Sequence, residues 1–507
     1  YEISLGLVGS EMCIRDRIYT TRWNPGQTMQ SAKLGRQVSY SVLVPQEYLS
    51  GSGATFPVVY LLHGYGDTPE AWGPGHFDIQ NVDAQARTAG QTGPVIYVIP
   101  QGWNSYYVNR YDGGFNYMDM LVDELVPMID RMLPTRPSAR YRAVAGYSMG
   151  GFGALAMAGK NASVFGTCIS LSPSMNTDAQ YRTLGGWDSQ WGDIFGGRGT
   201  TGDARLTPHY LSLCPLHFFA DNQPSAFASQ KWYVDCGDDE ERLYAGSGEL
   251  HCLLRDKGID HEFRVRNGAH TTSYWREGLR EGLAVFKAAC DGASYPDITP
   301  VNPAGGATPE FINVSDAPCQ ISLFKGNGLK SNSNTHIVYV EIGEGVPAPD
   351  AAGVASLLTQ SLQVKNAAVA VVNSADVAAV GADAVFAAVE GTLGVAVADA
   401  NRHLMGLGDN LRVVGPLAVS GRPFAGVYLY DSNLAAGSGA TFGAAQYVLD
   451  ISDMGANHRA MFNLFCALRD AEAKVEYRVR NGVVSSDCTS HGISALGQFI
   501  FNTLPIR

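Results

Sequence analysis

Short, unbroken apolar runs alternate along the N-terminal part of the chain with segments whose apolar positions recur every three or four residues. Val58–Leu62 (VVYLL) and Val95–Ile99 (VIYVI) are short, β-rich and unbroken, so they read as strands buried on both faces. From Met118 to Leu133, apolar residues at 118, 121, 122, 125, 128, 129 and 132 trace a helical stripe. Arg142–Ala145 reads as a short strand, glycine-rich Gly146–Gly153 as a turn, and Ala154–Ala158 as an apolar helical run. Trp232–Val234 and Glu262–Val265 predict further strands, with a helix over Leu250–Lys257 between them. Alternation of this kind predicts an α/β fold, a three-layer sandwich of helices around a mostly parallel sheet.

The pattern then repeats. FRVRNG at 263–268 returns as YRVRNG at 477–482, and Cys252-Leu-Leu-Arg-Asp256 returns as Cys466-Ala-Leu-Arg-Asp470. Tyr233-Val-Asp235 matches Val448-Leu-Asp450, and Val59-Tyr-Leu61 matches Val338-Tyr-Val340. Four segments in one order predict a second, shortened copy of the same fold. Pro296, Pro300, Pro303 and Pro309 with Gly305 and Gly306 mark a linker over 294–309, because proline denies helices and strands their N–H groups. The expected domains are therefore 18–293 and 310–507. Tyr1–Arg17 reads as a non-native, adapter-derived segment, set aside from the fold. At 507 residues the chain exceeds what one core usually serves, which agrees with two domains.

Charge narrows the partners. The net charge is −12, spread as −6 on either side of Asp297, so no basic patch is expected for nucleic acid or an anionic membrane. No run approaches 18 uncharged apolar residues, which excludes a transmembrane helix. None of the nine cysteines forms a CxxC pair, so neither a zinc site nor a thioredoxin-like motif is expected, and no metal or cofactor is implied.

The candidate chemistry centres on Gly146-Tyr-Ser148-Met-Gly150, a GxSxG between a strand and a helix. A serine in such a strained turn stands clear as a nucleophile, and its small neighbours avoid clashes. A serine hydroxyl needs a base, which in turn needs an orienting carboxylate. His270 lies in the loop after the strand at 262–265, and Asp239 and Glu240 lie in the acidic loop after the strand at 232–235. Both carboxylates fit, with Glu240 narrowly favoured. The Gly-bracketed turn His63-Gly-Tyr65-Gly66 supplies a second feature: the backbone N–H groups of Tyr65 and Met149 are assigned to an oxyanion hole. His63 reads as a structural loop histidine. Trp103, Tyr106 and Trp275 are candidate substrate-binding aromatics, and the aromatic-rich insert 175–231 is expected to overhang the pocket.

These strings resemble the esterase D-like group of α/β hydrolases, which includes feruloyl and acetylxylan esterases of carbohydrate esterase family one. The carriers are LLHGYGD at 61–67, ELVP at 124–127, GYSMGG at 146–151, DCGDDE at 235–240 and GAHTTSYW at 268–275, together spanning about residues 30–290. The resemblance implies an α/β-hydrolase domain that cleaves a carboxylic ester through an acyl-serine. Its implied substrate is a small ester or a polysaccharide-linked ester, which favours a secreted or periplasmic location. It places the acid at Glu240, where aspartate is commoner. An S-formylglutathione hydrolase-like thioesterase is the alternative enzyme, and a non-catalytic carbohydrate-binding or scaffold protein the remote one. Aligning Gly151-Phe-Gly153 with Gly406-Leu-Gly408 puts His403 at the Ser148 position of the second copy, Ile342 at that of His63 and Val484 at that of His270. The second copy is therefore expected to be a degenerate, inactive α/β-hydrolase-like domain.

Overall fold

The structure, a computed structural model, describes residues 18–240, 242–295, 308–314, 319–345, 351–362, 365–480 and 486–504. The segment 1–17, Val484 and most of the proposed linker lie outside the described residues. The chain forms two compact units, one of Tyr1–Phe263 with Gly268–Pro296 and one of Arg264–Asn267 with Asp297–Arg507.

The strands of the first unit are β1 (Trp23–Ser31), β2 (Arg36–Leu43), β3 (Val58–Leu62), β4 (Ile96–Pro100), β5 (Arg142–Tyr147), β6 (Thr167–Leu171), β7 (Lys231–Gly237) and the start of β8 (Glu262–Arg266), whose residues from Arg264 on are grouped with the second unit. Their order across the sheet is β1-β2-β4-β3-β5-β6-β7-β8. The β1–β2 and β2–β4 pairings are antiparallel, and β4, β3, β5, β6 and β7 run parallel. All five residues of β3 and all six of β5 are buried, as strands covered on both faces must be. On one face, Val59, Leu61, Tyr97, Ala143, Ala145, Ile169 and Tyr233 share a core with Ile79, Val82 and Ala86 of the helix Ile79–Thr88 and with Leu279, Leu283 and Phe286 of Thr272–Asp291. The helices Met149–Lys160 and Leu243–Lys257 pack on strands β5, β6 and β7 as well. This is the expected α/β-hydrolase arrangement.

The stripe over 118–133 is helical but broken into Tyr117–Asp119, a wider π turn over Met120–Leu125, and Val126–Met132. Pro127 lies just past the widened turn, where it has no N–H to donate.

The second unit is built from β9 (Glu310–Asn313), β10 (Gln320–Lys325), β11 (His336–Ile342), β12 (Ala367–Asn373), β13 (Arg402–Leu407), β14 (Gly426–Tyr430), β15 (Gln446–Ser452) and β16 (Val475–Arg480). Its order is β9-β10-β12-β11-β13-β14-β15-β16, the order of the first unit strand for strand. Pairings of β12, β11, β13, β14, β15 and β16 are parallel, and those of β9 and β10 antiparallel. Val354, Leu358 and Leu362 of the helix Ala351–Leu362 share a core with Ile493, Leu496 and Ile500 of Ser486–Thr503.

The strand register corrects one expectation. Val59 pairs with Ala143 and Val338 with His403, so His403 corresponds to Ala143 inside a strand and not to Ser148. The position past the strand end belongs to Gly408. Its N–H donates to Tyr430 at 2.9 Å, as that of Ser148 donates to Leu171 at 2.9 Å.

Candidate active site

Ser148 caps the central strand β5 with φ 57° and ψ −118°, a conformation that a side chain adopts only under strain. The surroundings enforce it. A Cβ on Gly150 would lie 2.2 Å from the Leu62 carbonyl oxygen, and one on Gly146 would lie 2.4 Å from that of Gly150. Only glycines let the turn fold this tightly, so the motif is a steric requirement of the elbow.

The acidic loop after β7 turns inward at Gly237. A Cβ there would meet the Gly268 carbonyl at 2.1 Å, so this loop and the loop carrying His270 approach backbone to backbone. Asp239 N–H donates to that same carbonyl at 3.0 Å, and Asp238 Oδ1 accepts from Gly268 N–H at 3.1 Å. The result orients the next carboxylate: Glu240 is 2 % exposed and its Oε2 lies 2.6 Å from His270 Nδ1. Asp239 is exposed, and the carboxylate on His270 is that of Glu240. Glu240 Oε1 accepts from Ser172 Oγ and, at 3.2 Å, from Gly237 N–H. With Nδ1 on Glu240, His270 retains Nε2 for another proton transfer.

Ser148, His270, Tyr65 and Trp275 line one open cavity of about 460 Å³, with Gly64, Asp67, His76, Tyr147, Thr271 and Thr272. Among the described residues, the N–H groups of Tyr65 and Met149 have no protein acceptor. The Tyr65 loop is pinned on both sides, by Tyr147 Oη on Asp67 Oδ2 at 2.7 Å and by Gly66 N–H on Asn104 Oδ1 at 2.8 Å. Beneath it, His63 is fully buried, its Nδ1–H donating to Gly64 O at 2.8 Å and its Nε2 accepting from Gly102 N–H at 2.9 Å. Burial pushes its pKa below the usual imidazole value, which suits the structural role expected for it.

The aromatic expectations need correction. Residues 103, 106 and 107 have positive φ (46°, 54° and 61°), and the loop folds back on itself. Tyr106 is fully buried against Phe152, Trp191 and Phe195, with its hydroxyl 3.1 Å from Ser174 Oγ. Trp103 packs edge-on against Phe115 and Tyr117, and the Arg36 guanidinium lies 4.6 Å from its ring centroid. Neither residue lines the cavity, and no residue of 175–231 does so either. The insert's Trp191 and Phe195 instead wall in Tyr106. Trp275 does reach the cavity, but its indole N–H is committed to Ser172 Oγ at 2.8 Å. Sequence reasoning missed Ser172, Asp67, His76, Thr271 and Thr272. GAHTTSYW carries the two threonines, while a serine one residue past an unrecognised strand gives no signal.

In the second unit, the helix after β13 is only Val414–Ala418. Buried Glu341 accepts from the N–H groups of Arg412, Val413 and Val414, at 3.0 Å and 2.6 Å for the last two. His403 is buried in its strand, 3.2 Å from His336 Nδ1 and 3.2 Å from Tyr428 Oη. Among the described residues, no group of three or more histidine, cysteine, aspartate or glutamate side chains has the geometry to hold a metal ion.

Comparison with known proteins bears on residues 31–286, just over half of the chain, which match the Esterase family model ("Putative esterase"). The esterase Rv1288 of Mycobacterium tuberculosis is 29% identical over 260 residues, 48% of this chain and 54% of that protein. The endo-1,4-beta-xylanase/feruloyl esterase of Xylanibacter ruminicola is 31% identical over 133 residues, 24% of this chain and 18% of that protein. A solved ferulic acid esterase structure has 24% identity and a TM-score of 0.45, covering 52% of this chain and 96% of its own. The chain spans about half the length of the mycobacterial relatives it matches. Through the match over 31–286, and in keeping with the fold of its first unit, the chain belongs to this esterase family.

Proposed function

We propose that the first unit is a serine carboxylic ester hydrolase. Ser148 Oγ attacks the ester carbonyl while His270 Nε2 takes its proton. Glu240 holds the imidazolium, and the N–H groups of Tyr65 and Met149 stabilise the tetrahedral oxyanion, each such donor being worth roughly 3 kcal/mol in a dry site. His270 then returns the proton to the leaving alcohol, and water clears the acyl-serine by the reverse sequence. The observation that carries this reading is the 2.6 Å contact from the buried Glu240 carboxylate to His270, whose ring shares a cavity with the strained Ser148.

For the substrate, we infer a feruloyl or acetylxylan type ester on plant polysaccharide. Support comes from the Xylanibacter relative, which carries feruloyl esterase in its name. The aromatic residues lining the cavity are Tyr65, Tyr147 and Trp275. We also infer that the second unit is a degenerate, inactive copy: it shares the strand order, but Gly408 stands at the nucleophile position and Gly455, counted from the matched Asp450, at that of Glu240. Glu341 takes up three N–H groups beside the short helix there.

The test is turnover of methyl ferulate, p-nitrophenyl acetate and S-formylglutathione side by side. The reading expects both oxygen esters to be cleaved. Rapid turnover of the thioester alone would replace it with a thioesterase, and turnover of none would leave a binding or scaffold role.

A further inference from the structure

Trp275 and Ser172 together touch His270, Glu240 and Tyr147, the residue beside Ser148. The Trp275 ring stacks on Tyr147 at 4.5 Å and 16°, and Tyr147 immediately precedes Ser148. The same ring meets the His270 imidazole edge-on, with centroids 4.8 Å apart at 87°. Its indole N–H donates to Ser172 Oγ at 2.8 Å, and Ser172 Oγ donates onward to Glu240 Oε1. Ser172 is fully buried with φ 45°, held by its own N–H on the Asp235 carbonyl at 2.6 Å. A serine hydroxyl has one proton to give. With the indole N–H occupying a lone pair, that proton is directed to the carboxylate.

We propose that Trp275 and Ser172 are positioning residues that act through Glu240 and His270, and that Trp275 is not primarily a wall for the substrate's aromatic group. The proposal rests on the serine esterase reading. The glutamate that reaches His270 has one more rotatable bond than an aspartate, and that bond must be restrained. Ser172 and Gly237 N–H supply that restraint on Oε1, leaving Oε2 for the imidazole.

The experiment compares Ser172→Ala, Trp275→Phe, the double variant and Ser148→Ala in the full chain, with p-nitrophenyl acetate and methyl ferulate. Trp275→Phe keeps an aromatic side chain but removes the indole N–H together with its five-membered ring, so it breaks the link to Ser172 even if Ser172→Ala folds poorly. We expect kcat to fall roughly tenfold in each single variant, with KM for both esters unchanged. The double variant should fall no further than the worse single one, and Ser172→Ala should have no added effect in a Glu240→Gln background. Wild-type kcat in both single variants overturns the proposal. So does a Trp275→Phe variant that raises KM for methyl ferulate at unchanged kcat, since that is the signature of a substrate wall. In either case a dead Ser148→Ala leaves the esterase reading standing, whereas an active Ser148→Ala sinks both.

Discussion

At the scale of single residues, the elbow is fixed by sterics. A methyl group at Gly150 would displace the β3 backbone, because the opposing atom is the Leu62 carbonyl oxygen at 2.2 Å and not a yielding side chain. Gly150→Ala should therefore lower stability by about 1–3 kcal/mol or more and abolish most turnover, read by urea unfolding and p-nitrophenyl acetate hydrolysis. The serine and histidine were readable from the sequence because their neighbours are conformational requirements: glycines at the elbow, a glycine before the histidine loop. The acid was not. Spacing left Asp239 and Glu240 open, and the backbone approach of Gly237 to Gly268 is what turns the Glu240 carboxylate inward while Asp239 stays exposed. Glu240→Gln should cut kcat by about 10²–10⁴-fold, while Asp239→Asn should stay within about twofold of the parent. Equal losses in the two variants would contradict the assignment. Tyr106 stays away from the cavity for a related reason: a positive φ that no local pattern announces folds its ring into the protein.

At the scale of elements, periodicity located the buried parallel strands to within a few residues. It failed where a strand is not buried on both faces or is masked by its neighbours. β1 carries exposed Pro25, Gly26 and Gln30, and Thr167–Leu171 is a five-residue run after a turn. Missing β6 also hid Ser172, which its end presents. In the second unit, β11 carries a buried carboxylate at Glu341, out of place in an apolar run until the helix it caps is seen. Glu341→Ala should leave buried N–H groups unsatisfied and destabilise that unit by about 1–3 kcal/mol. The check is a urea midpoint that drops while p-nitrophenyl acetate turnover in native buffer is retained; an unchanged midpoint would argue that water replaces the carboxylate without loss.

At the scale of the whole molecule, the repeated YRVRNG string announced two units, and both have the same strand order. The glycine matching that placed His403 at the nucleophile position went astray because it aligned two glycine pairs across a loop of different length. Strand register, which sequence does not display, moves the correspondence to Gly408. His403 is instead a buried strand residue, its pKa pushed down to about 3 chiefly by burial, with His336 adding repulsion. Because the folded state holds it neutral, unfolding takes up a proton below the ordinary histidine pKa. Its contribution to stability is therefore present above about pH 6.5 and is lost as pH falls toward the folded value. Thermal unfolding between pH 7 and 4 should show a Tm that falls with pH, and His403→Gln should flatten that slope.

In the proposed function, Ser148 alone carries the ester chemistry of the first unit. This claim is tested most directly by treating the intact protein and Ser148→Ala with a fluorophosphonate probe, mapping the label by mass spectrometry, and measuring p-nitrophenyl acetate turnover in parallel. The account predicts a single label on Ser148 in the parent, no label in the variant, and complete loss of turnover. A label elsewhere, or turnover that survives in Ser148→Ala, would contradict it and return attention to the second unit.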